Sequence, residues 1–376
     1  MPSHRVGFFS SRNYLDRNAF SGTLNSMYRA LKATDLQVVD LGNPQTPYRW
    51  RKIWNRARKN QGSGKIGSPD YLVEYTQFAY EVQKQLIQRN CDVLFAPVAS
   101  EELSFFQTNL PIVYYSDTTL KLYQKYYPLD LDEQEIEWKD RQERIAVSKA
   151  TKLVYSSEWA AQSAIEDYQA DAAKIEIIPL GANLDDPPLA EQALSRKLAS
   201  PCQLLFVGKD WQRKGGTIVF ETLTALLELG VEAELVVVGT VPPVKHEKLT
   251  VIPYLNKNVP QQRQKLNELF LKSHFFVFPT RAECSPIVIC EANAFGLPVL
   301  TTDVGGIPTI VKSGENGYML SLSASGAEYA RLIADIVSEP NRYEQLVHSC
   351  RREYDQRLNW DKWGERMSQI IGDMLD

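Results

Sequence analysis

The sequence predicts an α/β protein built from two doubly wound parallel-sheet domains, and three observations lead there. Short apolar runs alternate with longer amphipathic ones along the whole chain, the signature of strands joined by crossover helices. Near the middle, Pro179-Leu-Gly-Ala-Asn-Leu-Asp-Asp-Pro-Pro188 interrupts that alternation, which then restarts. The length of 376 residues exceeds what one hydrophobic core comfortably serves. The expected domains are residues 1–183 and 184–360. A last amphipathic run, 361–376, has no strand after it and must dock on a structure already formed.

The elements of the first half follow from apolar runs too short for helices. Strands are expected at 5–9, 36–41, 92–97, 111–115, 152–155 and 175–178, and helices at 22–32, 71–89, 133–150 and 158–168. Ser21 is a good cap for the first helix, and Gly22 beside it lets a ligand approach the backbone. Residues 49–65 hold seven basic side chains and no acid, interleaved with Trp50 and Trp54. Such a run reads as a solvated basic surface, an acceptor site for a phosphorylated molecule, or a patch for anionic lipid headgroups. Asp117 lies just past a strand end, as either a cleft carboxylate or a cap on the next helix. The acidic stretch 130–143 reads as a charged helix face.

In the second half, strands are expected at 203–207, 233–238, 249–252, 274–278 and 298–301, and helices at 216–229, 259–273, 286–295, 306–312, 325–337 and 341–357. Two strand-to-helix turns there carry anion chemistry. The first, Val207-Gly-Lys-Asp-Trp-Gln-Arg-Lys-Gly-Gly216, offers a guanidinium fork at Arg213 and a point charge at Lys214, with glycines for close approach. The second holds Glu283, with Pro286 at a plausible first helical position and Glu291 eight residues on. Strand carboxyl ends are where ligands bind in open α/β sheets, and helix amino ends there suit a diphosphate. The two carboxylates are better placed to accept hydrogen bonds from hydroxyls, as on a sugar or ribose, although a solvated turn and helix surface would read the same.

Composition narrows the alternatives. A net charge of −4 argues against nucleic acid as a partner, and no apolar run reaches the length of a membrane span. Residues 1–9 read as a first strand rather than a signal peptide. The five cysteines form no Cys-x-x-Cys pair and no cysteine–histidine cluster, as expected of reduced thiols in a cytoplasmic protein with no metal. Neither a phosphate-binding P-loop nor a dinucleotide fingerprint is present, and the Gly-x-Ser-x-Gly elbow of a serine hydrolase is missing. His274 opens a buried strand and reads as a satisfied core or edge histidine.

Residues 203–320 resemble the retaining nucleotide-sugar glycosyltransferases of the GT-B fold, family four. The residues that carry the resemblance are Phe278-Pro279, Glu283-x7-Glu291, Glu291-Ala292-x-Ala294-x-Gly296-x-Pro298-Val299, Gly305-Gly306 and Gly314-x-Asn316-Gly317, with Lys214 in place of the family's loop lysine. The first half matches more loosely, through its strand order, Gly22 and Gly181-x-Asn183.

This resemblance implies two Rossmann-like domains facing a central cleft, the last helix packing back on the first. Glu291 would bind the ribose hydroxyls and Glu283 the donor sugar. The backbone of Ser285, Pro286, Ile287 and Val288 would hold the diphosphate, with Gly22 approaching it from the first domain. Arg213 and Lys214 would neutralise the diphosphate as it leaves, in place of a metal. Lys209 stands where the family often has arginine, Tyr254 and Leu255 where its base-contacting loop falls. Asp117 stands near the place of the family's catalytic histidine, which this chain lacks. The donor expected is UDP-glucose, with no other cofactor. The acceptor expected is a sugar phosphate such as fructose 6-phosphate, as in the sucrose-phosphate synthase group. The alternatives are a lipid or polysaccharide acceptor reached by peripheral membrane contact, a nucleotide-sugar epimerase, and a sugar-nucleotide binding module without catalysis.

Overall fold

A computed structural model describes residues 4–10, 12–17, 19–41 and 69–375, so the basic run 49–65 lies outside the described residues. The chain divides into two compact units. The first comprises Met1–Ile178 with Trp363–Asp376, the second Pro179–Lys362. The division falls after residue 178, against 183 expected from the sequence. It falls there because residues 181–183 pack within the second unit: Ala182 N–H donates to the Leu358 carbonyl (3.0 Å) and Trp360 Nε1 to Asn183 Oδ1 (2.9 Å). A Cβ on Gly181 would stand 2.6 Å from the Trp360 nitrogen, so only glycine allows that approach.

The first unit is a six-stranded parallel sheet. Its strands are β1 (Arg5–Phe8), β2 (Gln37–Asp40), β3 (Val93–Pro97), β4 (Ile112–Ser116), β5 (Lys152–Tyr155) and β6 (Ile175–Ile177), in the order β2-β1-β3-β4-β5-β6. Its helices are α1 (Thr23–Lys32), α2 (Pro69–Gln88), α3 (Ser100–Phe105), α4 (Leu120–Tyr126), α5 (Glu133–Lys149) and α6 (Glu158–Tyr168). The central strands β3 and β4 are buried throughout, which explains their unbroken apolar sequences. Phe78, Ala79, Val82 and Leu86 bury one stripe of α2 in the core beside Phe9 and Phe106. Another part of the core is closed by Trp363, which lies edge-on to Phe95 and Tyr115 with ring centroids 6.0 and 5.7 Å away.

Three expectations are corrected in this unit. Ser21 does not cap α1: it has φ +56°, and the cap position belongs to Gly22, itself left-handed at φ +82°. Two short helices, α3 and α4, were not anticipated, because each follows a strand after a few residues and is too short to show a period. The acidic stretch is not merely a charged surface. Asp132 and Glu135 form the capping box of α5, while Glu143 is buried and accepts the Leu120 N–H at 3.1 Å.

The second unit repeats the plan. Its sheet contains β7 (Cys202–Val207), β8 (Ala233–Val238), β9 (Leu249–Ile252), β10 (Phe275–Phe278), β11 (Val299–Thr302) and β12 (Gly317–Leu320), all parallel, in the order β12-β11-β10-β7-β8-β9. The helices are α7 (Ala190–Leu194), α8 (Gly216–Glu228), α9 (Pro260–Lys272), α10 (Ile287–Ala294), α11 (Ile307–Ile310), α12 (Gly326–Ser338) and α13 (Pro340–Gln356), before α14 (Trp360–Leu375). The run expected as a helix at 306–312 gives only the four-residue α11, since the side chain of Asn316 takes over its end. Asn316 accepts the Lys312 N–H at 2.8 Å and donates to the Ile310 carbonyl at 3.0 Å. Buried Arg196 donates to the carbonyls of Ser273, Phe270 and Phe295, satisfying the ends of α9 and α10. His274 is structural, as expected: its Nδ1 accepts the Gln203 N–H at 2.8 Å. Among the described residues no helix is long and apolar enough to cross a membrane, and all five cysteines are buried and outside any disulfide.

Candidate functional site

In the second unit β7 and β10 are neighbours, with Phe275 beside Leu204. From β7 the chain winds outward through β8 and β9; from β10 it winds the other way through β11 and β12. The carboxyl ends of β7 and β10 therefore flank the crevice where the winding reverses, the general ligand position of such sheets. The β7–α8 turn (208–215) and the β10–α10 turn (279–286) both open there.

Glycine and backbone hydrogen bonds lock the two turns together. Gly215 has φ +76°, and a Cβ on it would lie 2.0 Å from the Pro279 carbonyl oxygen. Arg281 N–H donates to the Arg213 carbonyl at 2.7 Å, and Thr280 Oγ1 donates to the same oxygen at 3.2 Å. From β11 the chain returns through Gly305, where φ is +59° and an added Cβ would stand 1.8 Å from the Glu283 carbonyl oxygen. The backbone around Glu283 is thus fixed from both sides.

The side chains converge. Glu283 is 7% exposed, and its Oε1 accepts from the Lys214 ammonium, from Arg213 Nη1 at 3.4 Å and from Thr280 Oγ1 at 3.3 Å. Arg213 Nη1 also donates to the Ala282 carbonyl (2.9 Å), and its Nε lies 3.6 Å from Asp210. Burial lowers the Lys214 pKa, and the adjacent Glu283 opposes that shift. The arrangement is a pair of partly buried cations held by a carboxylate at a strand end, suited to an anion and to hydroxyls bound beside it.

Glu291 forms a second, separate pair. It is the fifth residue of α10, so it lies just over one turn into the helix. Pro286 occupies the cap, with ψ 96°, instead of the first helical position expected. Glu291 is 1% exposed; its Oε1 accepts from Lys257 Nζ (2.5 Å), and its Oε2 is buried with no hydrogen bond among the described residues. Burial raises its pKa, and Lys257 counteracts the rise.

The remaining second-unit candidates lie around these pairs. Ser285, Ile287 and Val288 are half-buried at the start of α10, where first-turn amides have no acceptor within the helix. Lys209 is exposed, with its ammonium 5.6 Å from the ring centre of exposed Tyr254. Leu255, beside Tyr254, is half-buried. In the first unit, Gly22 begins α1, and half-buried Asp117 follows β4. Asp117 is not the cap of the next helix, since Thr119 takes that role by accepting the Leu122 N–H.

Sequence spacing assigns no role to Lys257, nor to Asp210 and Arg281 within the two turns. Lys257 is a single lysine on a loop, and no spacing announces that a lone cation meets a buried carboxylate 34 positions away.

Residues 201–339 match the family described as Glycosyl transferases group 1. Over 247 residues the chain is 26% identical to a D-inositol 3-phosphate glycosyltransferase of Xylanimonas cellulosilytica, covering 61% of this chain and 58% of that protein. The chain thus spans little more than half the length of the curated relatives it matches. Among solved structures, sucrose-phosphate synthase from Thermosynechococcus elongatus superposes with TM-score 0.67 at 16% identity, over 99% of both chains. Anabaena HepE in complex with UDP and glucose superposes with TM-score 0.63 at 15% identity, over 98% of this chain and 99% of that one. At such identities these two establish the fold alone, which is GT-B.

Proposed function

We propose that this chain, a group 1 glycosyltransferase with the GT-B fold, moves a hexose from a nucleoside-diphosphate sugar to an acceptor hydroxyl with retention of configuration. The observation that carries the proposal is the convergence of Lys214 and Arg213 on Glu283 at the carboxyl ends of β7 and β10. When the glycosyl–phosphate bond breaks, negative charge develops on the departing diphosphate and positive charge on the anomeric carbon. Arg213, Lys214 and the amide-bearing start of α10 stabilise the first without a metal, and the Glu283 carboxylate faces the sugar. Glu291 takes the ribose hydroxyls, with Tyr254, Leu255 and Lys209 toward the base. Asp117 and Gly22 serve the acceptor and the diphosphate from the first unit. The acceptor oxygen forms the new bond to the anomeric carbon as the diphosphate oxygen leaves, and its proton passes to an acceptor-side base or to the diphosphate.

UDP-glucose is the proposed donor, supported by the UDP and glucose in the HepE complex. A small phosphorylated sugar or polyol, fructose 6-phosphate foremost, is the proposed acceptor, supported by the names of the two relatives, sucrose-phosphate synthase and D-inositol 3-phosphate glycosyltransferase. A membrane-bound lipid or polysaccharide acceptor is favoured by one different observation. On α2, Val73, Tyr80 and Ile87 are exposed at seven-residue spacing, an apolar stripe on the surface of the first unit.

A donor–acceptor array that reads nucleoside diphosphate release tests the proposal. Release that depends on a phosphorylated sugar supports it. Conversion of the sugar nucleotide with no acceptor present would identify an epimerase, and binding without any turnover would identify a binding module. Pelleting with anionic vesicles separates the two acceptor readings.

A further inference from the structure

Lys257 lies on the connection from β9 to α9, and that connection is rigidly built. Asn256 N–H donates to Gln262 Oε1 (2.7 Å), Asn258 N–H to Asn256 Oδ1 (3.0 Å) and Val259 N–H to the Asn256 carbonyl (3.0 Å). The Lys257 carbonyl accepts from Arg263 Nη1 at 3.1 Å, and Arg263 is itself gripped by Asp185 (3.1 Å) and Asp186 (3.2 Å). The backbone of Lys257 is therefore set, and its ammonium reaches Oε1 of buried Glu291.

A carboxylate that is 1% exposed is strongly unfavourable without a counter-charge. Among the described residues, Lys257 is the charged group that faces Glu291. The Cys290 thiol beside it on α10 is pushed up to about 12 by burial and stays neutral, and Arg357, at the end of α13, faces Cys290. Among the described residues, Glu291 Oε2 meanwhile accepts no hydrogen bond.

We propose that Lys257 is a positioning residue for nucleotide recognition: it holds Glu291 as an ionised carboxylate with Oε2 turned to the ribose hydroxyls, and ties that carboxylate to the loop that carries Tyr254 and Leu255. The inference rests on the assignment of Glu291 to the ribose. A carboxylate accepts from two vicinal hydroxyls at once, whereas a carboxylic acid loses part of that capacity to its own proton. Without the Lys257 charge, Glu291 holds its proton to higher pH, and ribose binding weakens as pH falls into the range where wild type remains ionised.

The test is calorimetric titration of the full chain with UDP, GDP and ADP between about pH 6 and pH 9. Relative to wild type, Lys257→Met is expected to bind roughly tenfold more weakly at the acidic end and nearly equally at the alkaline end, while Lys257→Arg restores the wild-type profile. Nucleoside diphosphates lacking both ribose hydroxyls should bind wild type and Lys257→Met alike at every pH. A loss in Lys257→Met that is uniform with pH, or no loss, would overturn the inference. If wild type fails to distinguish the nucleotides with and without the hydroxyls, the ribose assignment itself falls and takes the inference with it.

Discussion

Lys214 and Arg213, adjacent in sequence, donate to the same oxygen of Glu283, a residue 69 positions from Lys214 on a different turn. Neither cation faces water unopposed. Under the proposed function, a diphosphate that binds here draws them from Glu283 and frees the carboxylate for the sugar that the same ligand brings. Glu283→Gln and Lys214→Met are each expected to lower turnover by roughly 10²–10³-fold, the scale of removing one preorganised donor at developing charge. Steady-state rates of nucleoside diphosphate release check this, and wild-type rates in either variant would remove Glu283 and Lys214 from the reaction.

Gly305 should be irreplaceable for a reason separate from its backbone angle. Its left-handed φ alone makes alanine unfavourable by about 1–3 kcal/mol. The Cβ would also strike the Glu283 carbonyl at 1.8 Å and push that turn out of place. Gly230 is the control, with φ +77° and nothing within 4 Å of an added Cβ. Urea denaturation should show a larger loss for Gly305→Ala than for Gly230→Ala, and only the former should impair activity at temperatures where both are folded.

Two buried carboxyls give the first unit a pH signature. Burial pushes Glu102 and Glu143 up to about 8, with the Leu120 N–H partly opposing the shift at Glu143. Each is raised above its unfolded value, so the folded state keeps a proton that the unfolded chain has released. Their contribution to stability is fully present below the unfolded carboxyl pKa of about 4.5 and is lost as pH rises toward 8. Glu143→Gln should flatten part of that decline and raise stability at alkaline pH, by an amount on the order of a few kcal/mol. Denaturation midpoints measured across that range test it. A midpoint in Glu143→Gln that falls with pH as steeply as wild type would show that Glu143 is ionised in the fold.

Asp117→Asn should lower acceptor-dependent turnover by roughly 10²–10⁴-fold while leaving nucleotide affinity unchanged, if Asp117 acts on the acceptor proton. Parallel calorimetry and turnover measurements separate the two effects. Equal loss in both would place Asp117 in nucleotide binding instead.

What the sequence made legible was periodic or local. Strand-to-helix alternation, the glycine-proline break and the two charged turns all follow from residues close together in the chain, and these locate the crevice in the second unit. What stayed hidden depends on partners far apart. In Glu-Gln-Glu-Ile-Glu-Trp-Lys-Asp-Arg-Gln-Glu143, nothing marks the last glutamate as the one that turns inward, because its burial is decided by packing against α4. Lys257 was invisible for the same reason. Ser21 was misread because three successive left-handed residues, Phe20, Ser21 and Gly22, override the usual cap preference.

Trp363 carries a consequence for how the molecule is made. The second unit is one continuous stretch of chain, 179–362, and holds everything it needs by the time residue 362 is synthesised. The first unit does not: its sheet is complete after β6, yet the indole that lies against Phe95 and Tyr115 arrives only after nearly two hundred further residues. During synthesis Phe95 and Tyr115 therefore lack the cover of this indole until the chain of the second unit has been made. The order of translation and the order of completion are reversed in this chain.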